Sequence, residues 1–417
     1  SSLGVVMLNL SLSKKLVLVV AGVFVSGLVI AADSETSSAP SYRVGGLKVY
    51  PGFGVVLKQD DNIFRSNANP RKSFITVLSP SVLLQTQQEA NSFSLGYNAD
   101  IGRFGNSSDD NFVDQKILGQ AVLGLSSRST LKMMPEYIVG HDDRGSTFGA
   151  GTKNPNTWSS SGLNGAFSYG SEDATGKLLL DMGFSDRSYQ NNRTDSTGKP
   201  LTTAYDRSLN NVGGTFYLNV FPKTSALLSV KYTGIAYKLS TSELNSSEQR
   251  ILVGAKWDAT SQTSGEVKIG QLQKKFDKTF ATASGLSWEG VVRWSPVSNL
   301  NVDFSSSKQP SETTLTDTSV VMVSNSGVNV VYGLTDRVSL IGNVNQAKEE
   351  FVAKTGTNRL DTTNNFLIKS EYKFRNWLIG GVEYSNNSKT SNESNASNNF
   401  KNDYKRNIFM LSLRSVI

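Results

Sequence analysis

Leu178-Leu179-Leu180-Asp181-Met182-Gly183-Phe184-Ser185-Asp186-Arg187 decides the fold. Leu178, Leu180, Met182 and Phe184 fall on one side of an extended chain; Asp181, Ser185 and Arg187 fall on the other. That is a period of two, the signature of a strand with one apolar and one polar face. The pattern recurs in Leu228, Val230 and Tyr232 against Ser229, Lys231 and Thr233. It returns in Phe366, Ile368, Tyr372 and Phe374 against Lys369, Glu371 and Lys373, and in the final series Phe409, Leu411, Leu413 and Ile417. No stretch after residue 32 sustains a helical period, so the mature chain is expected to be all-β.

The connections between about eighteen strand candidates alternate in length. Short polar turns are expected near 88–91, 126–129, 172–176, 222–225, 258–264, 296–299, 334–337 and 374–376. Longer links rich in Asn, Ser, Thr, Asp and Gly intervene, among them 60–71, 141–156, 190–201, 350–361 and 386–403. This layout predicts a transmembrane antiparallel up-and-down β-barrel, with short periplasmic turns and long extracellular loops. A β-sandwich gives no reason for loops to alternate in length, and a solenoid would repeat more tightly. Phe53, Phe221, Trp257, Trp288, Trp294, Tyr332, Tyr372 and Trp377 lie near segment ends, as interfacial aromatic girdles require. In hydrocarbon an unpaired peptide group costs several kcal/mol, so the sheet must close, and the strand around 50–59 must pair with the one around 406–417.

Composition narrows the function. The 417 residues are 38% hydrophobic and 18% charged, with no cysteine and one histidine. Zinc clusters, thiol chemistry and disulfide scaffolds are excluded, and a mean hydropathy of −0.27 excludes a polytopic helical membrane protein. A net charge of +7 spread along the chain gives no reason to expect a nucleic-acid partner. At the N-terminus, Lys14 and Lys15 precede an apolar run to Ala32 with small residues at its end, which reads as a signal peptide over 1–32. A periplasmic lead-in is expected over 33–47 and the outer-membrane barrel over 48–417.

A barrel of this size is about 36 Å across at a tilt of about 40°, too wide for side chains to fill. The polar face should then line the lumen. Its candidates are Lys132, Glu136, Asp181, Arg187, Lys231, Arg250, Lys256, Glu266, Lys268, Glu289, Arg293, Asp303, Lys369, Glu371, Lys373 and Arg414, with Lys116, Asp100, Asp114 and Asp258 beside them. The basic excess is slight and suggests weak anion preference. No catalytic set is legible: His141 sits in the loop-like phrase His141-Asp142-Asp143-Arg144-Gly145 and reads as a polar loop tip. Asp60-Asp61-Asn62 lacks the rest of a calcium loop, and Gly145-Ser146-Thr147-Phe148-Gly149 lacks a P-loop lysine. No metal or other cofactor is expected, and no enzymatic activity.

Several phrases resemble a known family. Val49-Tyr50-Pro51 leading to Asp60-Asp61-Asn62-Ile63-Phe64, with Pro80 in the second strand, is similar to the opening of the putative β-barrel porin family, type 2. So is the central run Val253-Gly254-Ala255-Lys256-Trp257-Asp258-Ala259-Thr260 followed by Ser264-Gly265-Glu266-Val267. Phe276-Asp277, Ser287-Trp288-Glu289-Gly290 and Arg293-Trp294-Ser295-Pro296 continue it in order. The resemblance implies a bacterial outer-membrane barrel, folded by the barrel-assembly machinery and associated with exopolysaccharide or capsule loci. Three functions follow as expectations. The first is a conduit for exopolysaccharide working with a periplasmic export protein. The second is a general diffusion porin with 142–156 folded inward as a constriction. The third is a structural barrel plugged by a partner.

Overall fold

The computed structural model describes residues 41–146, 152–171, 174–258, 262–313, 315, 318–354, 356–395 and 400–415. The expected leader over 1–32 lies outside the described residues. Alternating sequence becomes strand throughout; the described helical structure is two short 3-10 turns, Ser108–Asp110 and Thr202–Tyr205.

Among the described residues a small hairpin comes first, β1 (Tyr42–Val44) folding onto β2 (Leu47–Gly52). The first wall strand is β2 continued by β3 (Gly54–Asp60), and the second is β4 (Ser73–Leu78) continued by β5 (Ser81–Gln88). Pro80 has no N–H to offer the ladder and marks the break in the second strand, yet Gly54 and Ser79 still exchange two backbone bonds of 2.8 Å across it. The wall continues with β6 (Asn91–Phe104), β7 (Phe112–Ser126), β8 (Ser129–Asp142), β9 (Asn156–Tyr169), β10 (Gly176–Tyr189) and β11 (Arg207–Phe221). Next come β12 (Thr224–Tyr237), β13 (Ser246–Trp257), β14 (Thr263–Phe276), β15 (Ala283–Val297), β16 (Leu300–Ser311) and β17 (Thr318–Gly333). The last wall strands are β18 (Val338–Ala353), β19 (Arg359–Arg375), β20 (Leu378–Ser391) and, after a short hairpin of β21 (Ser394–Asn395) and β22 (Phe400–Lys401), β23 (Tyr404–Ser415).

Every neighbour is antiparallel, and β23 pairs with β3 from Ile408↔Asp60 to Arg414↔Gly54, which closes an eighteen-strand barrel. Following paired residues once round the sheet returns to the first strand displaced by about 22 residues. With strands about 4.8 Å apart, that stagger gives a tilt of about 40° and a backbone diameter of about 36 Å.

The apolar series points outward. Leu180, Met182 and Phe184 on β10, Leu228, Val230 and Tyr232 on β12, and Phe366, Ile368 and Tyr372 on β19 are all exposed, Met182 to 66%. A water-soluble barrel would bury such a series; here hydrocarbon solvates it. Phe53, Phe221, Trp294 and Tyr372 are exposed at the ends of their strands, at the height of an interfacial girdle.

Two loops are shorter than their composition suggests. Between β18 and β19 pairing persists to Phe351↔Arg359, so the expected loop over 350–361 shrinks to 354–358. Likewise β19 and β20 pair up to Asp361↔Ser391, so the loop expected from 386 begins at 392. The physical reason is that these strands rise past the hydrocarbon. Water then bathes both faces, and Asn, Ser and Thr are as acceptable there as in a loop.

Candidate functional site: the inner wall

Residue alternation puts all sixteen candidates on the face opposite the exposed apolar series. Lys132 and Glu136 belong to β8, Asp181 and Arg187 to β10, and Lys231 to β12. Arg250 and Lys256 belong to β13, Glu266 and Lys268 to β14, Glu289 and Arg293 to β15, and Asp303 to β16. Lys369, Glu371 and Lys373 come from β19 and Arg414 from β23.

Register then decides which of them meet. Lys268 stands opposite Glu289, and its Nζ lies 3.0 Å from Glu289 and 2.8 Å from Glu266. Arg250 reaches the other oxygen of Glu289 at 3.1 Å, so two cations and two anions form one neutral cluster over three strands. The Tyr217 hydroxyl donates to Glu266 at 3.3 Å, and Lys256 lies over the Tyr217 ring at 5.5 Å. Arg293 and Asp303 face each other in register and form a bidentate pair at 2.6 and 2.7 Å. Lys369 and Arg414 share Glu371 at 2.8 and 2.9 Å. Arg187 stacks on Trp158 with its guanidinium carbon 4.0 Å from the ring centroid. Lys132, Glu136, Asp181, Lys231 and Lys373 are not drawn into these clusters.

Several residues that join strands to one another were not among the lumen candidates. Asp60, fully buried, receives a bidentate bond from Arg406, while Asp61 accepts from the backbone and side chain of Asn407, both at 2.7 Å. Asn62 donates to the Lys405 carbonyl at 2.8 Å. Asp60-Asp61-Asn62 is therefore the clasp that joins the first strand to the last. Asp361 is likewise held between Arg359 at 2.6 Å and Lys389 at 3.3 Å. Alternation alone would have nominated Asp60, Asp361 and Arg406, since each continues the polar face of its strand.

Two loops bend inward at the extracellular end. Glu312, just past β16, binds Lys274 of β14, and its other oxygen accepts from the Tyr237 hydroxyl of β12 at 2.7 Å. Lys274 is only 1% exposed as a result. Burial pushes the Glu312 carboxyl up, but Lys274 and Arg207, with hydrogen bonds from Lys274 and Tyr237, outweigh it and hold it below the usual carboxylate range. The second loop follows β8. Asp143 pairs with Arg65 at 3.1 Å, and Arg144 pairs with Asp110 while its guanidinium lies 4.7 Å from the Phe64 ring centroid. His141 is not a loop tip: its Nδ1 lies 2.8 Å from Asp114 and its Nε2 3.3 Å from Asp143, and the ring stacks on Phe112. Burial raises the Asp143 carboxyl, yet the hydrogen bond from His141 and the Arg65 charge bring it well below the ordinary range. Residues 147–151 of the expected constriction loop lie outside the described residues. Among the described residues no cluster of three or more His, Cys, Asp or Glu could hold a metal ion.

The family model described as Putative beta-barrel porin 2 matches residues 38–416. The chain belongs to this family. No curated protein matches it. Among solved structures, Pseudomonas aeruginosa OccK3 (OpdO) is 14% identical with a TM-score of 0.47, covering 88% of this chain and 96% of its own. Acinetobacter baumannii OccAB3 is 10% identical with a TM-score of 0.49, covering 89% and 99%. A bacterial polysaccharide outer membrane secretin is 6% identical with a TM-score of 0.37, covering 88% and 97%. Likenesses this remote say nothing about cargo. The porin 2 family protein is an outer-membrane barrel of porin type, as its family and its exposed apolar belt require.

Proposed function

We propose that this porin 2 family barrel is a pore through which an exopolysaccharide leaves the cell. The observation that carries the reading is the extensive ion pairing along the inner wall. Many of its charges meet a partner, in the Arg250–Glu289–Lys268–Glu266, Arg293–Asp303 and Lys369–Glu371–Arg414 groups, the last of which keeps one excess positive charge. Between them lie amides and hydroxyls; Asn387 donates to Asn365, and Asn345 sits in register beside it. Such a surface offers hydrogen bonds to a hydrated sugar chain at many places with little net charge to hold it at one. The association of the resembling family with polysaccharide loci points the same way, as would a periplasmic export partner.

A second reading, a general diffusion porin, is favoured by the inward loops at Glu312 and Asp143, which narrow the mouth without needing a polymer. Single-channel conductance in a planar bilayer, with neutral and acidic polysaccharides added to one side, separates the two. Discrete interruptions by polymer support export, and deletion of the gene should then lower surface polysaccharide. A steady conductance indifferent to polymer supports diffusion. A silent bilayer would speak for a barrel closed by a partner.

A further inference from the structure

Outward Lys238 pairs with outward Asp186 at 2.6 Å, but on three other strands the outer wall carries lysines without a carboxylate partner. The outward series on β16 runs Phe304, Ser306, Lys308; on β18 it runs Val344, Gln346, Lys348; on β23, read upward, it runs Phe409, Asn407, Lys405. Lys308 and Lys348 stand four residues above Phe304 and Val344, with Pro310 and Val352 higher on the same faces, and Lys405 stands four residues above Phe409. That is about 13 Å along the strand, or about 10 Å along the barrel axis at this tilt. Lys348 and Lys405 are exposed, and Lys308 lies 5.7 Å from the centroid of the outward Trp288 ring. None of the three forms an ion pair with a described carboxylate, whereas the inner-wall cations around Glu289, Asp303 and Glu371 do. Lys308 and Lys348 flank Ser324 in register, about 10 Å apart across one strand. The one carboxylate in these three outward series, Glu350, is taken up by the Asn358 amide at 2.8 Å.

Three unpaired cations stand on the upper part of the outward wall, rising about 10 Å from Lys308 to Lys405, where the apolar belt gives way to polar residues. The layer that meets them there is the head-group layer of the outer leaflet, and their charge calls for an anion. We propose that the outward face of β16, β18 and β23 docks the phosphorylated head group of an outer-leaflet glycolipid, with Lys308, Lys348 and Lys405 taking phosphates and the intervening hydroxyl and amide groups taking sugar oxygens. The lysine stems can lie down the wall, so their ammonium groups cover the height over which phosphates occur.

The test titrates the full chain in detergent with bis-phosphorylated lipid A and with the same lipid stripped of phosphate. Binding is read by native mass spectrometry. Wild type should bind the phosphorylated form selectively. Each lysine is worth about fivefold, so Lys308→Gln, Lys348→Gln and Lys405→Gln together should weaken binding about a hundredfold. Lys223→Gln in a periplasmic turn should leave binding unchanged. Circular dichroism establishes that the triple variant folds; should it not, Lys348→Gln alone carries the test with a fivefold loss. Equal binding of dephosphorylated lipid, or a triple variant that binds as wild type, overturns the assignment. A triple variant that keeps its lipid affinity and changes oligomeric state would also overturn it, and would give the face to a second copy.

Discussion

The seam between the first and last strands offers the sharpest test of how this barrel holds itself closed. Seven residue pairs join β23 to β3, against fifteen joining β17 to β18, so backbone pairing is thinnest where closure is made. Asp60 reinforces it: its carboxylate is wholly buried, takes the Arg406 guanidinium with both oxygens, and accepts the Asn62 backbone N–H at 3.0 Å. Asp60→Ala removes the anion and leaves a mostly buried guanidinium without its partner. Breaking a buried pair from one side costs about 3–5 kcal/mol, and the orphaned N–H adds about 1 kcal/mol. Removing both partners with Asp60→Ala and Arg406→Met should recover most of that, because the uncompensated charge goes too. Reversible urea unfolding in lipid vesicles, followed by tryptophan fluorescence, reads both variants. Hydrogen exchange at residues 54–60 should rise in the single variant before other strands respond. A single variant within about 0.5 kcal/mol of wild type, or a double variant whose cost is the sum of the two singles, would falsify the clasp.

Other substitutions probe the wall and its loops. Glu289→Gln leaves Arg250 and Lys268 with Glu266 alone, a local gain of one positive charge, so the reversal potential across a KCl gradient should shift toward anion selectivity; an unchanged potential would mean that ions do not pass this cluster. Gly254→Ala should destabilise by roughly 1–3 kcal/mol, because a Cβ there would run into the Val267 carbonyl oxygen of the neighbouring strand; wild-type unfolding would contradict the close approach. Glu312 has a depressed carboxyl pKa, so the stability it lends is fully present above its unfolded value of about 4.3 and is lost as pH falls through the lower folded value. Conductance should therefore rise or become noisy below about pH 4 as the loop is released, and Glu312→Gln should show that behaviour already at pH 7. An acid response that survives in Glu312→Gln would assign it to another group.

What was legible in the sequence was local. Alternation at Leu178–Arg187 or Phe366–Phe374 fixes which side chains share a face, because neighbouring residues on a strand point in opposite directions whatever the strand pairs with. Partners are another matter. That Lys268 meets Glu289, or that Asp60 meets Arg406 across 346 positions of chain, depends on inter-strand register, which no single strand encodes. The inward reach of Glu312 was equally hidden, since a carboxylate just beyond a strand looks the same whether it points to water or to Lys274. Strand ends were misjudged at 350–361 and 386–403 for a related reason. Polar outward residues ordinarily announce a loop, but above the hydrocarbon they are compatible with a ladder that keeps going.

The contrast between the two faces follows from what each is given to solvate its charges. An inward charge sits on a thin wall with hydrocarbon behind it and only lumen water in front, so pairing with a neighbour repays part of its lost hydration. Pairing also lays long side chains flat along the wall, as Arg293 lies against Asp303, instead of letting them reach toward the axis. A pore that must stay wide gains twice from the same bonds. An outward charge above the belt can pair as well, as Lys238 does with Asp186, but it can also be left to the surrounding head groups, which bring their own anions. Unpaired lysines at Lys308, Lys348 and Lys405 and paired ones at Lys268 and Lys369 are thus two answers to one electrostatic requirement, set by which medium lies on the other side. The wall's charges then report the two surroundings separately: changing an inner partner should alter what the pore conducts, and changing an outer lysine should alter only what the barrel binds.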